Sequence, residues 1–318
     1  MIWRTLEKPV AFVLGGGGSL GAMQVGMLEA LAEHAIVPDL VVGTSVGAIN
    51  GAIVAADPQG AAHRLAHSWS RLDPSRVFPR SIIGPLRALR ERHNQLVSES
   101  GLAKILNENL PSGATFDDLA VPLRVVTTNA ATGEALVISS GPLVPALLAS
   151  AAIPGIFPPV ERDGRFLYDG GLVANMPVRQ AVPAGAKSLV LLDCTFPGHP
   201  PIAPGTLAQT MLFAATAVLR QQTADALATI PPEVTLLYLP GPSPKPVWPL
   251  HFRHTLRLIE AAYASAREFL DSATTAPGKC PKETARCSTP SSLESTDHGM
   301  LVPPSVRPSI SPERRAPP

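Results

Sequence analysis

Two short apolar runs, each closed by a glycine-rich turn and followed by a helical pattern, constrain this chain more than any other feature. Val10–Leu14 is continuously apolar and stops at Gly15-Gly16-Gly17-Gly18. A run this short and unbroken suits a strand covered on both faces. Beyond Gly21, apolar Ala22, Val25, Leu28 and Leu31 recur at helical spacing, leaving Glu29 and Glu33 to face water. Leu40–Val42 repeats the theme, followed by Gly43-Thr44-Ser45-Val46-Gly47 and a helical Ala48–Ala56. Two successive strand–turn–helix units predict an α/β fold with a mainly parallel central sheet.

Later strands are expected at 123–127, 135–138, 189–192 and 234–238. Helices are expected over parts of 60–69, 85–93, 102–109, 144–151, 206–227 and 252–270. The 318 residues are 45% hydrophobic and 16% charged, ample for a core, but only 5% aromatic, so Ala, Val and Leu must fill it. A net charge of +1 argues against nucleic acid as a partner. Three cysteines, Cys194, Cys280 and Cys287, do not make a disulfide framework in a chain of this length, which suggests a reducing compartment. No uninterrupted apolar stretch reaches the roughly 18 residues of a spanning helix, and the N-terminal segment lacks the apolar run of a signal peptide. The expected location is therefore cytoplasmic, with peripheral membrane contact as an option. From Thr274 the composition turns to Pro, Ser, Thr and charge. Residues 274–318 are expected to be a disordered tail behind one domain at 9–272, whose motifs fall within 9–195.

A Ser in Gly-x-Ser-x-Gly between a strand and a helix has a mechanical meaning. The chain reverses sharply, small neighbours tolerate the crowding, and the Ser hydroxyl projects from the sheet's carboxyl edge. The N-terminus of the following helix favours negative charge at the same place. Ser45 is thus a candidate nucleophile, with Gly43 and Gly47 as its motif glycines.

The upstream cluster can be read in two ways. As G-x-G-x-x-G (Gly16, Gly18, Gly21) it would grip a dinucleotide, but that fingerprint expects an acid at the end of the next strand. Here Asp39 precedes that strand instead. As an oxyanion hole, successive glycines would let backbone N–H groups converge on one oxygen. Adjacent parallel βα turns emerge at one sheet edge, so Gly17 and Gly18 would lie beside Ser45.

A base for Ser45 is less obvious. Of the downstream histidines, His199, His251, His254 and His298, none stands in a motif. Tyr168-Asp169-Gly170-Gly171 follows a hairpin pattern at Val160–Arg165, turning at Asp163-Gly164, and its carboxylate can project from a tight turn. Asp193, at a strand end, is the competing acid.

Together, Gly16-Gly17-Gly18-Ser19-Leu20-Gly21, Gly43-Thr44-Ser45-Val46-Gly47 and Asp169-Gly170-Gly171 resemble the signature of the patatin-like phospholipases, in order and spacing. Ala149–Pro159 and Asn175-Met176-Pro177-Val178 resemble the stretches flanking that family's acid. The resemblance implies a three-layer α/β/α sandwich and a serine carboxylic-ester hydrolase acting on lipids, without cofactor or metal. Ser45 would be the nucleophile, Asp169 its base, and Gly16, Gly17 and Gly18 the oxyanion donors; Gly21, Gly170 and Gly171 complete the motifs. Two positions depart from the pattern. Leu20 stands where the family usually has Arg or Lys, and Asn129 where many members carry Asp. The loss of that cation keeps open a catalytically weak or silent lipid-binding module.

Arg71–Arg92 contains six arginines interleaved with Val77, Phe78, Ile82, Ile83, Leu86 and Leu89. Such a stretch is expected either to present a solvated helix face or to meet anionic lipid headgroups. The expected partners are a lipid substrate and a membrane surface.

Overall fold

A computed structural model describes residues 6–72, 100–194, 205–239, 241, 252–275 and 300–301. The elements are β1 (Val10–Leu14), α1 (Ala22–Glu33), β2 (Leu40–Thr44), α2 (Val46–Ala56), α3 (Ala61–Ser70), α4 (Ser100–Asn109), β3 (Leu123–Asn129) and β4 (Ala135–Ile138). They continue with α5 (Leu143–Ser150), β5 (Val160–Arg162), β6 (Arg165–Asp169), α6 (Gly171–Ala174), α7 (Val178–Ala181), β7 (Ser188–Leu192), α8 (Leu207–Leu227), β8 (Thr235–Leu239), α9 (Thr255–Thr275) and β9 (Met300–Leu301).

The strands form one sheet in the order β5-β6-β3-β2-β1-β7-β8-β9, with β4 attached to β3. Strands β3, β2, β1, β7 and β8 are mutually parallel, and β4, β5 and β6 supply the antiparallel part. Every residue of β1, β2 and β7 is buried. Their side chains alternate between two cores. Phe12, Leu14, Val41, Val190 and Leu192 join one, built with α1, α2, α3, α5 and α9. Ala11, Val13, Val42, Leu189 and Leu191 join the other, beneath α6, α7 and the end of α8. This is the three-layer sandwich expected, because a sheet of continuously apolar strands must be covered on both sides.

At Gly26 the helices α1 and α9 touch almost backbone to backbone; a Cβ there would lie 2.1 Å from the Ile259 carbonyl. The β5–β6 hairpin turns at Asp163 and Gly164, both with positive φ (51° and 71°), as the pair predicts. Among the described residues no helix is long and apolar enough to cross a membrane. The helix expected at 85–93 and the arginine stretch beyond Leu72 lie outside the described residues. So does the expected disordered tail, apart from Thr274 and Thr275, which complete α9, and Met300–Leu301, which pair with β8.

Candidate active site

The β2–α2 turn is built around one non-glycine residue in the left-handed half of conformational space. Ser45 has φ 56° and ψ −127°, a geometry that costs roughly 1–3 kcal/mol and needs rigid surroundings. Those surroundings are visible. The Ser45 N–H donates to Ser150 Oγ at 2.8 Å, and its carbonyl accepts from Ala48 and Ile49. Ser150 in turn donates to the Val126 carbonyl at 2.7 Å. The flanking glycines are required by close approach: a Cβ on Gly43 would lie 2.5 Å from the Gly47 carbonyl oxygen, and one on Gly47 2.3 Å from that of Leu14.

The acid reaches this turn through the sheet. Strand β2 pairs with β3 up to Thr44↔Val126, and β6 pairs with β3 from Asp169↔Thr127. Because β4 pairs with β3 over 125–128, β4 takes one edge and leaves β2 and β6 end to end along the other. Their carboxyl ends therefore meet at neighbouring rungs. Ser45 Oγ donates to Asp169 Oδ2 at 2.6 Å, and the Gly171 N–H donates to Oδ1 at 2.7 Å. Burial raises the Asp169 pKa to about 6, while the bonds from Ser45 and Gly171 pull it back toward ionisation. A carboxylate poised there can accept a proton from the hydroxyl it touches.

The glycine-rich turn lies against the same serine. A Cβ on Gly16 would lie 3.2 Å from Ser45 Cβ and 2.6 Å from Asn175 Oδ1. The Gly16 N–H donates to the Asn175 carbonyl at 3.1 Å. Gly18, at φ 58°, opens a short 3-10 turn (Gly18–Gly21) that leads into α1. Among the described residues the N–H groups of Gly17 and Gly18 have no hydrogen-bond partner.

Ser45 opens into a cavity of about 140 Å³. Val46, Ile49, Asn50 and Ile53 line it as one face of α2, with Leu65 and Trp69 of α3 and Ile105 and Leu106 of α4 opposite. Its polar liners turn inward. Asn50 is bonded to Gly21, Gln24 and Trp69, and Ser68 donates to Asn109. What remains is an apolar slot beside the hydroxyl. Among the described residues no group of three or more His, Cys, Asp or Glu side chains could hold a metal ion.

A profile of the family described as patatin-like phospholipase matches residues 12–182, more than half of the 318. The chain belongs to the patatin-like phospholipase family. Among its relatives, patatin-like phospholipase domain-containing protein 7 of Rattus norvegicus is 32% identical over 187 residues, covering 58% of this chain and 13% of that protein. Lysophospholipase NTE1 of Mycosarcoma maydis is 30% identical over 195 residues, covering 60% of this chain and 10% of its own length. This chain thus matches only a small part of each of these long relatives. The solved structure of VipD from Legionella pneumophila aligns over 84% of this chain and 67% of its own, with 16% identity and a TM-score of 0.44.

Within this family fold, the chain brings Ser45, Asp169 and the Gly16–Gly18 turn together. It does not bring in Asp193. That residue directly follows β7, two strands from β2 in the sheet, and accepts a hydrogen bond from the Tyr238 hydroxyl. Of the four downstream histidines only His254 is described, and it is exposed. Leu20, in the position where the family's cation was expected, is 5% exposed and packs in the larger core. Asn129 closes the β3–β4 turn, its Oδ1 accepting from Ala131. Ser150 and the Asn175 carbonyl were inside motif stretches, yet their roles carry no local signal, since both act on backbone groups more than 100 residues away in sequence.

Proposed function

We propose that this chain hydrolyses acyl esters of lipids, with Ser45 as nucleophile and Asp169 as its base. The observation that carries the reading is the 2.6 Å hydrogen bond from Ser45 Oγ to Asp169 Oδ2 at the mouth of an apolar slot. In the proposed reaction Ser45 Oγ attacks the ester carbonyl as its proton passes to Asp169. The tetrahedral oxyanion faces the N–H groups of Gly17 and Gly18 and the N-terminus of α2. Collapse breaks the ester C–O bond, and the departing alcohol or lysolipid takes the proton from Asp169. Water then attacks the acyl-serine, giving its proton to Asp169, and Ser45 leaves reprotonated with release of the fatty acid. The name of the Mycosarcoma maydis relative, a lysophospholipase, supports a single-chain lipid as substrate.

The test is fatty-acid release from lysophospholipid and from p-nitrophenyl esters. Ser45→Ala and Asp169→Asn are expected to lower kcat by on the order of 10⁴-fold or more while the protein stays folded. Activity retained in Asp169→Asn would end the dyad assignment. The buried Leu20 supports a second reading, a lipid-binding module that does not turn over. Reaction of wild-type Ser45 with a fluorophosphonate probe excludes it; absence of labelling in a folded protein favours it.

A further inference from the structure

Beneath the glycine-rich turn runs a chain of buried side-chain hydrogen bonds that the reaction above does not use. Trp69 Nε1 on α3 donates to Asn50 Oδ1 on α2 at 3.0 Å. Asn50 Nδ2 donates to the Gly21 carbonyl at 3.0 Å and to Gln24 Oε1 at 2.8 Å. Gln24 Nε2, on α1, donates to the carbonyls of Gly15 at 2.9 Å and Leu192 at 3.1 Å. Gln24 and Asn50 are wholly buried.

This chain has a direction that can be derived. An indole N–H only donates, so Asn50 must turn its oxygen to Trp69 and its nitrogen away. That nitrogen then requires oxygens, which are those of Gly21 and Gln24. Gln24 is thereby forced to turn its own nitrogen toward Gly15 and Leu192, where two carbonyls wait. All four amide N–H groups of the two side chains are used, and neither amide can flip without setting acceptor against acceptor. Two of the three carbonyls gripped, those of Gly15 and Gly21, are the two ends of the turn that carries the N–H groups of Gly17 and Gly18, which have no partner among the described residues.

A turn with glycine at five of seven positions, 15–18 and 21, has little intrinsic preference for one shape. Backbone donors serve an oxyanion only when they are held in place before charge develops. We infer that Gln24 and Asn50, oriented by Trp69, are positioning residues that hold the Gly15–Gly21 turn in its oxyanion-binding shape. Trp69 and Asn50 also line the slot, and the Trp69 ring stacks on Phe252 with centroids 6.1 Å apart. The acyl slot and the oxyanion turn are thus two sides of one network, and a chain seated in the slot packs against the residue that sets the amides' direction. The inference rests on the hydrolase reading for its catalytic consequence, but the holding of the turn does not.

Asn50→Asp and Gln24→Glu replace amide nitrogen by oxygen at nearly constant volume and so leave at most one O–H donor where each amide gave two N–H groups. Trp69→Phe removes the donor at the head of the chain and keeps an aromatic wall. For a p-nitrophenyl ester, kcat is expected to fall about 100-fold in the first two variants and about tenfold in the third. KM should stay within about threefold, and the pH midpoint of kcat/KM should not move. Amide hydrogen exchange across residues 15–21 should quicken in the same order, with β8 and α9 unaffected. Folded variants with wild-type kcat, or with a shifted KM or pH midpoint, overturn the inference. If wild-type protein hydrolyses no ester, the hydrolase reading fails, and exchange alone decides: quickened exchange upholds the holding role and unchanged exchange refutes it. Should Asn50→Asp and Gln24→Glu fail to fold, Trp69→Phe carries the same comparison.

Discussion

At the β2–α2 turn the serine's own backbone is engaged on both sides: Ser45 donates its N–H to Ser150, its carbonyl accepts from Ala48 and Ile49, and its hydroxyl lies beside the cavity. At the neighbouring β1–α1 turn the pattern inverts. The carbonyls of Gly15, Gly17 and Gly21 are bonded, to Gln24, Leu20 and Asn50, while the N–H groups of Gly17 and Gly18 have no partner among the described residues. One turn presents a side chain and must be rigid around a strained residue. The other presents backbone and must carry no side chain in the way. Glycine serves both, for different reasons: at Gly43 and Gly47 it permits two backbones to meet, and at Gly16 it leaves room beside the Ser45 side chain.

That difference predicts unequal outcomes for one kind of substitution. Gly47→Ala sets a Cβ 2.3 Å and 2.5 Å from the carbonyl oxygens of Leu14 and Gly15, which cannot move without opening the sheet. It should cost more than about 4 kcal/mol and leave little folded protein, read by circular dichroism and denaturant melting. Gly16→Ala meets side chains instead, Asn175 and Ser45. It should fold with near wild-type Tm yet lose about 100-fold in kcat, as one misplaced oxyanion turn would. Equal destabilisation by both would erase the distinction between the turns.

A smaller effect, read in pH, concerns the group that serves the Ser45 turn. In the proposed reaction Asp169 must be ionised to accept the serine proton, and its pKa is raised to about 6 by burial. Log kcat/KM should therefore fall by about one unit per pH unit below about 6 and be level above it. Stability follows the opposite sign. With a folded pKa above the ordinary 3.8, the protonated carboxyl favours the fold; that contribution is complete below pH 3.8 and is lost as pH rises through about 6. Asp169→Asn, neutral throughout, should melt above wild type on the alkaline side of this window and gain nothing on the acid side. A constant Tm difference across the window would contradict the raised pKa.

The smallest expected effect is that of Ser150→Ala. It orphans the buried Ser45 N–H and the Val126 carbonyl, a loss of about 1–3 kcal/mol in denaturant melts. The strain at Ser45 would then have one support fewer, and kcat should fall with it. An unchanged Tm would show that the turn is held by its glycines alone.

Much of this architecture was legible from residues near one another in the chain. Continuous apolar runs marked β1, β2 and β7, and Asp163-Gly164 marked the hairpin, because strand burial and turn geometry are local demands on side-chain type. The serine turn could be located for the same reason: its glycines and its strand-and-helix setting all lie within a few residues. What the local pattern left open was the identity of the acid. Asp169 ends one strand and Asp193 directly follows another. Only the tertiary structure separates them, since β6 lies end to end with β2 along one edge of β3, whereas β7 lies beyond β1. The fate of the Gly16 N–H, the service of Ser150, and the directed chain from Trp69 to Gly15 were likewise decided there. Each depends on one donor and one acceptor brought together from distant parts of the chain, and a hydrogen-bond partner, unlike an apolar face or a turn, leaves no periodic trace in the sequence around it.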